Sequence, residues 1–372
     1  MPLELLKIHN GRNLKEYTLN PHPFFNIIYG SNGVGKTTIL ESIYLLLRSR
    51  TFRSSKYKSF INHDSNDCTI FSRFLSDDND SFTLGISRSK DNAQPILHLN
   101  SNKINSLSSV TNLVVLGLIT PESFSLLDSG PSTRRKFIDW GVFHVEPSFI
   151  SVWRSYKKII SSRNKLLSLY SKEYKYSQSL SQDKLMQIDC WSSQLIDLND
   201  RLDIFRSKQI VNISTLFKKY LSFFSEELSN DISLNYYKGW TKDIKYSDFL
   251  KDKISEDLLV GFTRYGTHRG ELKITLKKHA AKDILSRGQK KIVIICLILA
   301  QFKFLIDLDN QRDHNVLLLD DIDSELDEVN INILISILEN FNSQILLTTT
   351  NKDKYSFLDE KNYKLFHVEH EM

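Results

Sequence analysis

The chain has 372 residues with a net charge of +5, and 41% of its residues are hydrophobic and 25% charged, as in an ordinary globular protein. Its most apolar run, residues 292–300, is shorter than the roughly 20 residues that span a membrane. The first residues show no secretion signal, and the three cysteines lack Cys-x-x-Cys spacing. We therefore expect a cytoplasmic protein with no membrane partner and no structural zinc, whose mild charge permits nucleic-acid binding without requiring it.

The first fifty residues predict strands followed by a helix. Residues 3–8 and 14–19 flank turn signals and predict an antiparallel pair. Residues 24–29 predict a buried strand that leads into a glycine-rich loop, and the apolar residues after the loop recur on one helical face. Strand, glycine-rich loop and helix are the context in which phosphate-binding loops occur.

The glycine-rich loop, residues 30–37, has the full pattern of a phosphate-binding loop. Its glycines allow backbone N–H groups to surround the phosphates of ATP, Lys36 adds a positive charge, and the Thr37 hydroxyl is a ligand for Mg²⁺. A glycine-rich turn without a ligand is the alternative. The predicted nucleotide-binding residues are Gly30, Ser31, Asn32, Gly33, Val34, Gly35, Lys36, Thr37 and Thr38.

The middle of the chain changes from strand-like to helical patterns. Residues 68–118 predict further strands, the last of which ends at Thr120-Pro121-Glu122. Residues 132–232 are largely free of glycine and predict a helical lobe with two long helices separated near 172–182. Strand patterns return at residue 233. We therefore predict an α/β fold, with a composite head of residues 1–131 and 233–372 and an inserted helical lobe of residues 132–232.

Residues 316–321 form an apolar strand that ends in two carboxylates. We expect this strand beside the strand of the phosphate loop, where Asp320 would share Mg²⁺ with Thr37. Asp321 would then orient or deprotonate the attacking water. The alternative is that Asp321 or Asp323 caps the next helix.

Residues 285–289, Leu-Ser-Arg-Gly-Gln, have the form of the ABC ATPase signature Leu-Ser-x-Gly-Gln. The segment opens a helix, so Ser286 and the Gly288 N–H can bind a γ-phosphate at the positive end of the helix dipole. A helix cap would explain Ser286 but not Gly288 or Gln289, so Gly288 and Gln289 are also predicted nucleotide-binding residues. Because such a motif is useful mainly to a nucleotide on another subunit, it predicts an ATP-dependent homodimer.

These motifs together resemble the RecF family of bacterial recombination and gap-repair proteins, which are related to SMC-type ATPases. The resemblance extends over essentially the whole chain and includes residues 120–122, 130–140 and 317–327. At residues 266–272 the chain lacks a proline and an acidic residue of the family pattern but retains Arg269. The short helical arm also fits this family better than the long coiled coils of SMC proteins.

The resemblance implies an ABC/SMC-type P-loop ATPase head and assigns further roles. Glu122 takes the position of the Q-loop glutamine of transporters, residues 324–327 are the D-loop, and Thr349 takes the position of the switch histidine. Asp321 replaces the usual glutamate. A shorter carboxylate and a hydroxyl in place of an imidazole predict slow turnover, because the water is less well positioned. The predicted catalytic residues are Lys36, Glu122, Ser286, Asp320, Asp321 and Thr349.

The resemblance also implies the biological role. ATP would close a dimer on DNA at single-stranded gaps and duplex–single-strand junctions, with weak DNA-stimulated hydrolysis. RecO and RecR would be partners in loading recombinase, in support of gap repair, replication-fork maintenance and SOS induction. Candidate DNA contacts are Arg48, Arg50, Arg53, Lys56, Lys58, Arg134, Arg135, Lys136, Lys157, Lys158, Arg163 and Lys165. A transporter cassette and a nucleotide-dependent scaffold with negligible hydrolysis are the alternatives.

Overall fold

The computed structural model describes residues 2–54, 56–75, 81–92, 94–105, 110, 113–308, 314–359 and 361–369. The chain forms two compact units. Unit 1 comprises Met1–Phe124 and Ser286–Met372, and unit 2 comprises Ser125–Leu285. No helix in the described ranges is long and apolar enough to cross a membrane.

The first sheet of unit 1 is antiparallel, and its described strands follow the order β2-β1-β4-β5-β6-β7. The predicted hairpin of residues 3–8 and 14–19 is confirmed, with Leu6 opposite Leu19. The strands are β1 (Leu3–Gly11), β2 (Leu14–Leu19), β4 (Asp67–Leu75), β5 (Ser81–Ser89), β6 (Ile96–Leu99) and β7 (Asn102–Ile104).

The second sheet of unit 1 is parallel, in the order β14-β3-β13-β12-β8. Its strands are largely buried, with all six residues of the central strand β13 and five of the six of β8 buried, as expected for a parallel sheet covered on both faces. The strands are β3 (Phe25–Tyr29), β8 (Val114–Ile119), β12 (His314–Leu319), β13 (Gln344–Thr349) and β14 (Tyr363–His367).

Helix α1 (Lys36–Arg48) contributes to one apolar core with both sheets, and ten of its thirteen residues are buried. The buried Gln344 also joins the sheets, since its side chain accepts a hydrogen bond from Leu3 N and donates one to Leu3 O, both at 2.9 Å. The C-terminal helices of this unit are α9 (Arg287–Leu308) and α10 (Glu328–Glu339).

Unit 2 combines long helices with a three-stranded antiparallel sheet, β11-β10-β9. The predicted lobe boundary at residue 232 differs from the observed unit, because β9 pairs with β10 and also packs against α4. The strands are β9 (Ile232–Tyr237), β10 (Glu271–Leu276) and β11 (His279–Ala280). The helices are α2 (Pro131–Val145), α3 (Phe149–Ser177), α4 (Gln182–Phe224), α5 (Glu226–Asp231), α6 (Tyr246–Asp252), α7 (Ile254–Val260) and α8 (Ala281–Ile284).

An ion pair lies inside unit 2, where Arg163 on α3 meets Asp257 on α7. The Nη1–Oδ2 distance is 2.8 Å, and both side chains are almost fully buried. Arg163 also donates to the hydroxyls of Ser192 and Thr263 at 2.9 and 2.6 Å. The prediction that Arg163 is available to DNA is therefore wrong, since its guanidinium connects three segments of the core.

His268, in the segment that departs from the family pattern, also makes hydrogen bonds within unit 2. Its Nδ1 lies 2.9 Å from the Tyr156 hydroxyl and its Nε2 lies 3.0 Å from Thr263 O. Burial lowers the pKa of His268 to about 4. The ring is therefore neutral at physiological pH and has partners for both nitrogens.

We expect Arg163→Met to destabilise unit 2 by about 3–5 kcal/mol, because it leaves Asp257 as a buried charge without its guanidinium partner. The matched control is Arg154→Met on the exposed face of the same helix, which should change stability by less than about 0.5 kcal/mol. Chemical denaturation followed by circular dichroism measures both. Equal effects of the two variants would contradict the buried ion pair.

Candidate active site

The parallel sheet brings four strand ends to one edge. The glycine loop follows β3, Asp320 follows β12, Thr348 lies near the end of β13, and Glu122 follows β8. Because all these strands are parallel, their carboxyl ends meet at the same edge, where α/β sheets bind ligands. One expectation is wrong: β12 is not adjacent to β3, since β13 lies between them.

A polar cleft of about 450 Å³ lies at this edge. The residues that line it come from the glycine loop, the turn after β1, the segment after α1, and the ends of β8, β12 and β13. They are Arg12, Asn13, Asn32, Gly33, Gly35, Lys36, Thr37, Thr38, Arg53, Pro121, Glu122, Asp320, Asp321 and Thr348.

Backbone conformation explains the glycines of the loop. Gly33 has φ +85°, a conformation that other residues rarely adopt, although a side chain there would meet nothing within 4 Å. Gly30 has φ +153°, and a Cβ on it would lie 2.4 Å from the carbonyl oxygen of Val368. The loop therefore curves tightly while its Gly33 side remains open to a ligand.

The Lys36 ammonium lies inside the loop and donates to the carbonyl oxygens of Gly30 and Ser31, both at 2.8 Å. Burial lowers the pKa of Lys36, whereas the charges of Asp321, Asp323 and Asp320 raise it. The lysine thus provides a partly desolvated positive charge, which interacts strongly with phosphate.

The Thr37 and Asp320 side chains fit a magnesium site. The Thr37 hydroxyl donates to Asp320 Oδ1 at 3.0 Å. Adjacent ligands of an octahedral Mg²⁺, with bonds of about 2.1 Å, also lie about 3.0 Å apart. Burial raises the pKa of Asp320, whereas hydrogen bonds from Thr348 and Thr37 lower it. When bound between these oxygens, Mg²⁺ would neutralise phosphate charge.

Asp321 occupies a backbone conformation that is uncommon for a residue with a side chain. Its φ is +52°, in the left-handed region. Its N–H donates to the Thr348 hydroxyl at 2.9 Å, and its carboxylate accepts a hydrogen bond from Ser324 at 3.2 Å. Strain of this kind is found preferentially at functional sites. The conformation places Asp321 in the cleft wall, as its predicted role requires.

The switch position predicted at Thr349 does not lie in the cleft. Thr349 is fully buried, and its hydroxyl donates to Asp323 Oδ2 at 2.7 Å. The preceding residue, Thr348, lines the cleft and donates to Asp320 Oδ1 at 2.8 Å. Neighbouring residues of a strand point to opposite faces. The threonine in the cleft is therefore Thr348, one residue before the predicted position, and Thr349 points away from the cleft. The sequence signal available for either choice was the run of three threonines, residues 348–350, at the end of β13.

The signature segment, residues 285–289, begins a helix and does not line the cleft. Ser286 and Gln289 form a reciprocal capping box, with Ser286 N donating to Gln289 Oε1 at 3.0 Å and Gln289 N to Ser286 Oγ at 3.3 Å. The expectation that a cap explains only the serine is therefore wrong. Ser286, Gly288 and Gln289 are exposed, and they are not among the described residues that line the cleft.

The comparisons with known proteins decide the family. The model of the RecF/RecN/SMC N-terminal domain matches residues 2–372. The DNA replication and repair protein RecF of Pseudomonas paraeruginosa (strain DSM 24068 / PA7) is 35% identical over 373 residues, covering 100% of this chain and 96% of the relative. The chain belongs to the RecF family. The RecF of Cellvibrio japonicus (strain Ueda107) is 32% identical, with 100% and 98% covered.

Solved structures agree with this family. The recombination mediator protein RecF with ATP, from the RecFOR pathway, superimposes with a TM-score of 0.80 at 25% identity and covers 100% of this chain and 96% of the other. The Smc head bound to the C-winged helix domain of ScpA has a TM-score of 0.55 at 15% identity, covering 99% and 94%, and shows the shared fold alone. The predicted SMC-type ATPase head with a helical insertion is therefore confirmed.

We expect Thr348→Val to raise the Mg²⁺ concentration needed for half-maximal ATP binding by about tenfold, because the variant removes a hydrogen bond that orients Asp320. Thr349→Val deletes the neighbouring hydroxyl, which contacts Asp323 instead, and should leave this concentration within about twofold. Titration of Mg²⁺ into each variant with a fluorescent ATP analogue measures the difference. An equal shift in both variants would show that the hydrogen bond from Thr348 to Asp320 does not specifically support metal binding.

Proposed function

We propose that the chain is a cytoplasmic ATP-dependent DNA-binding protein of recombinational gap repair. ATP and Mg²⁺ bind the cleft of one protomer, and the signature segment of a second protomer completes the site. The resulting dimer binds DNA at single-stranded gaps and duplex–single-strand junctions. It works with RecO and RecR in loading recombinase, and it supports replication-fork maintenance and SOS induction. The family relationship supports this role, since the relatives are named DNA replication and repair proteins.

The observation that carries the dimer proposal is the environment of Gly288. A glycine near the start of a helix costs up to about 1 kcal/mol relative to alanine. The structure offers no internal reason for it, because a Cβ at Gly288 would meet nothing within 4 Å. The capping box already accounts for Ser286 and Gln289. A close approach of a phosphate to this exposed helix start explains the missing side chain.

Slow hydrolysis is part of the proposal. Asp321 lines the cleft with its strained backbone fixed by Thr348 and Ser324. Its side chain is one methylene shorter than the glutamate of transporters, so it positions a water less well. Lys36, Asp320 and the loop bind the phosphates, and Glu122 forms part of the cleft wall. The ATP-bound state then acts as a timed clamp, with weak hydrolysis stimulated by DNA.

Fewer basic residues are available for DNA than the sequence clusters suggested, because several of them make contacts within the protein. Besides Arg163, Arg134 pairs with Glu271 at 2.5 Å, and Arg135 donates to Gly270 O at 2.8 Å. Arg48 donates to Leu116 O at 3.2 Å. Among these basic residues, the aromatic side chains of Phe52 and Tyr57 are partly buried and pack against the core of unit 1. The remaining exposed candidates are Arg50, Arg53, Lys56, Lys58, Lys136, Lys157, Lys158 and Lys165.

Helix α3 presents a longer row of positive charge than the sequence clusters implied. Arg154, Lys158, Lys165 and Lys172 are all exposed. At 100° per residue they fall within about 40° around the helix, and the row is about 27 Å long. Within the described part of the chain, none of the four forms an ion pair with a carboxylate. We propose this row, defined by these four residues, as a phosphate-contacting surface of the protein.

We expect ATP to convert the chain to a dimer and Ser286→Arg to prevent this, because the larger cationic side chain fills the approach to the signature helix. Analytical ultracentrifugation with ATP, ADP or no nucleotide, with and without gapped DNA, gives the result. Ser336→Arg, an exposed position on α10, is the control. A native chain that remains monomeric under every condition would exclude the two-protomer site.

We expect the fourfold glutamine variant of the α3 row to reduce the slope of log K against log salt for DNA binding by up to about 3 to 4, since each phosphate contact contributes about 0.9. The matched control replaces four exposed cations of α4, Arg201, Lys208, Lys218 and Lys219, by glutamine. Fluorescence anisotropy over a range of KCl concentrations measures both slopes. Identical slopes for the two variants would remove α3 from the DNA surface.

A further inference from the structure

Glu41 is an ionisable residue in an otherwise apolar part of α1. It lies one turn beyond Thr37, and its side chain is 0% exposed. Residues on both sides of it along the helix, such as Leu40 and Ile43, belong to the core of unit 1. Burial raises the pKa of Glu41 above its usual value, although Arg12 and Arg53 lower it. A buried carboxylate is costly, so its presence in this core calls for a role.

The carboxylate of Glu41 fixes an arginine from a different part of the chain. Arg12 lies in the turn between β1 and β2, and both its Nε and its Nη2 are 2.8 Å from Glu41 Oε2. The backbone of Arg12 is in the left-handed region, with φ +50°. The ion pair therefore fixes the guanidinium of Arg12, while a hydrogen bond from Arg12 N to Phe60 O at 2.7 Å fixes its backbone.

A second arginine is connected to the same carboxylate. The positive charge of Arg53 lowers the pKa of Glu41 and so stabilises its ionised form. Arg53 follows the end of α1, so Glu41 pairs with an arginine before this helix and is stabilised by the charge of one after it. The charge of Arg53 also lowers the pKa of Asp320, and both residues line the cleft.

Both arginines line the cleft, together with Asn13. Asn13 is in turn fixed by its side-chain hydrogen bond to Gly33 O at 3.1 Å. The Glu41 contact occupies one edge of the Arg12 guanidinium, and the group has five N–H donors. Only the remaining N–H groups are then available to a ligand in the cleft, so their direction is set by Glu41.

We propose that Glu41 is a positioning residue for nucleotide binding, which orients the Arg12 guanidinium toward the phosphates of ATP from beneath the cleft. This inference rests on the proposed function, because it takes ATP as the ligand. The physical advantage is preorganisation: an arginine already held in place loses less conformational freedom when it binds phosphate. Without Glu41 the same cation would be present but mobile.

The experiment is a double-mutant cycle on Glu41→Gln and Arg12→Gln, with affinity for a fluorescent ATP analogue in the presence of Mg²⁺ as the readout. We expect each single variant to weaken binding by about tenfold, as for loss of one charge-assisted hydrogen bond. We expect the double variant to be no weaker than the weaker single variant, because both changes remove the same interaction. Multiplying effects would overturn the proposal.

A structural role alone predicts a different outcome. If the pair only fastens the β1–β2 turn to α1, Glu41→Gln lowers the melting temperature but leaves nucleotide affinity within about twofold, and the positioning role is wrong. Arg12→Lys keeps the charge and the ability to pair with Glu41, so it provides a variant that folds. We expect it to bind ATP about as weakly as Arg12→Gln, since the lysine ammonium lacks the planar set of N–H donors that Glu41 could orient. Native affinity in Arg12→Lys would contradict the proposal.

The same assay separates this inference from the proposed function. Lys36→Ala should abolish binding of the ATP analogue to the otherwise native chain. If the native chain itself does not bind the analogue, the proposed function fails and this inference fails with it. If the native chain binds and Lys36→Ala does not, but Glu41→Gln binds normally, only the positioning role of Glu41 is wrong.

Discussion

Asp320 accepts hydrogen bonds from Thr37 and Thr348, and the geometry of the cleft depends on this one buried carboxylate. The two hydroxyls belong to the start of α1 and the end of β13, while Asp320 itself follows β12. Burial favours the protonated acid, and the two hydrogen bonds favour the carboxylate. A cation bound at the same oxygens would favour the carboxylate further. The affinity for metal and the alignment of two strand ends with the start of α1 are thus determined by the same few contacts.

The fold could be predicted to the extent that its signals are local. The hairpin, the phosphate loop and the apolar strand before Asp320 each depend on a short run of residues, and each was predicted correctly. The order of the strands has no local signal, so the insertion of β13 between β3 and β12 was missed. The extent of unit 2 was missed for the same reason, because β9 and β10 belong to it through long-range pairing.

Side-chain environments were harder to predict than motifs. Arg163 lies in a basic run of α3, but its partner Asp257 is 94 residues away, and nothing in the run indicates that this cation is buried. Thr348 and Thr349 are chemically identical neighbours, and only the phase of β13 determines which one meets Asp320. Gln289 matched the signature pattern, yet it also completes a helix cap that any helix could use. A motif therefore identified the chemistry, whereas the structure determined which atoms are available for it.

The connectivity of the two units suggests how DNA could influence ATP hydrolysis. Unit 2, which carries the α3 row, is joined to unit 1 by the chain at Phe124–Ser125 and at Leu285–Ser286. The first crossing comes two residues after Glu122 in the cleft wall, and the second immediately precedes the signature helix. Both covalent connections therefore lie within two residues of positions that are proposed to act on the nucleotide. Under the proposed function, DNA on the α3 row would be linked through these two chain connections to Glu122 and Ser286, whereas Lys36 and Asp320 lie at neither connection. DNA is thus expected to alter hydrolysis and dimer closure more strongly than the initial binding of ATP.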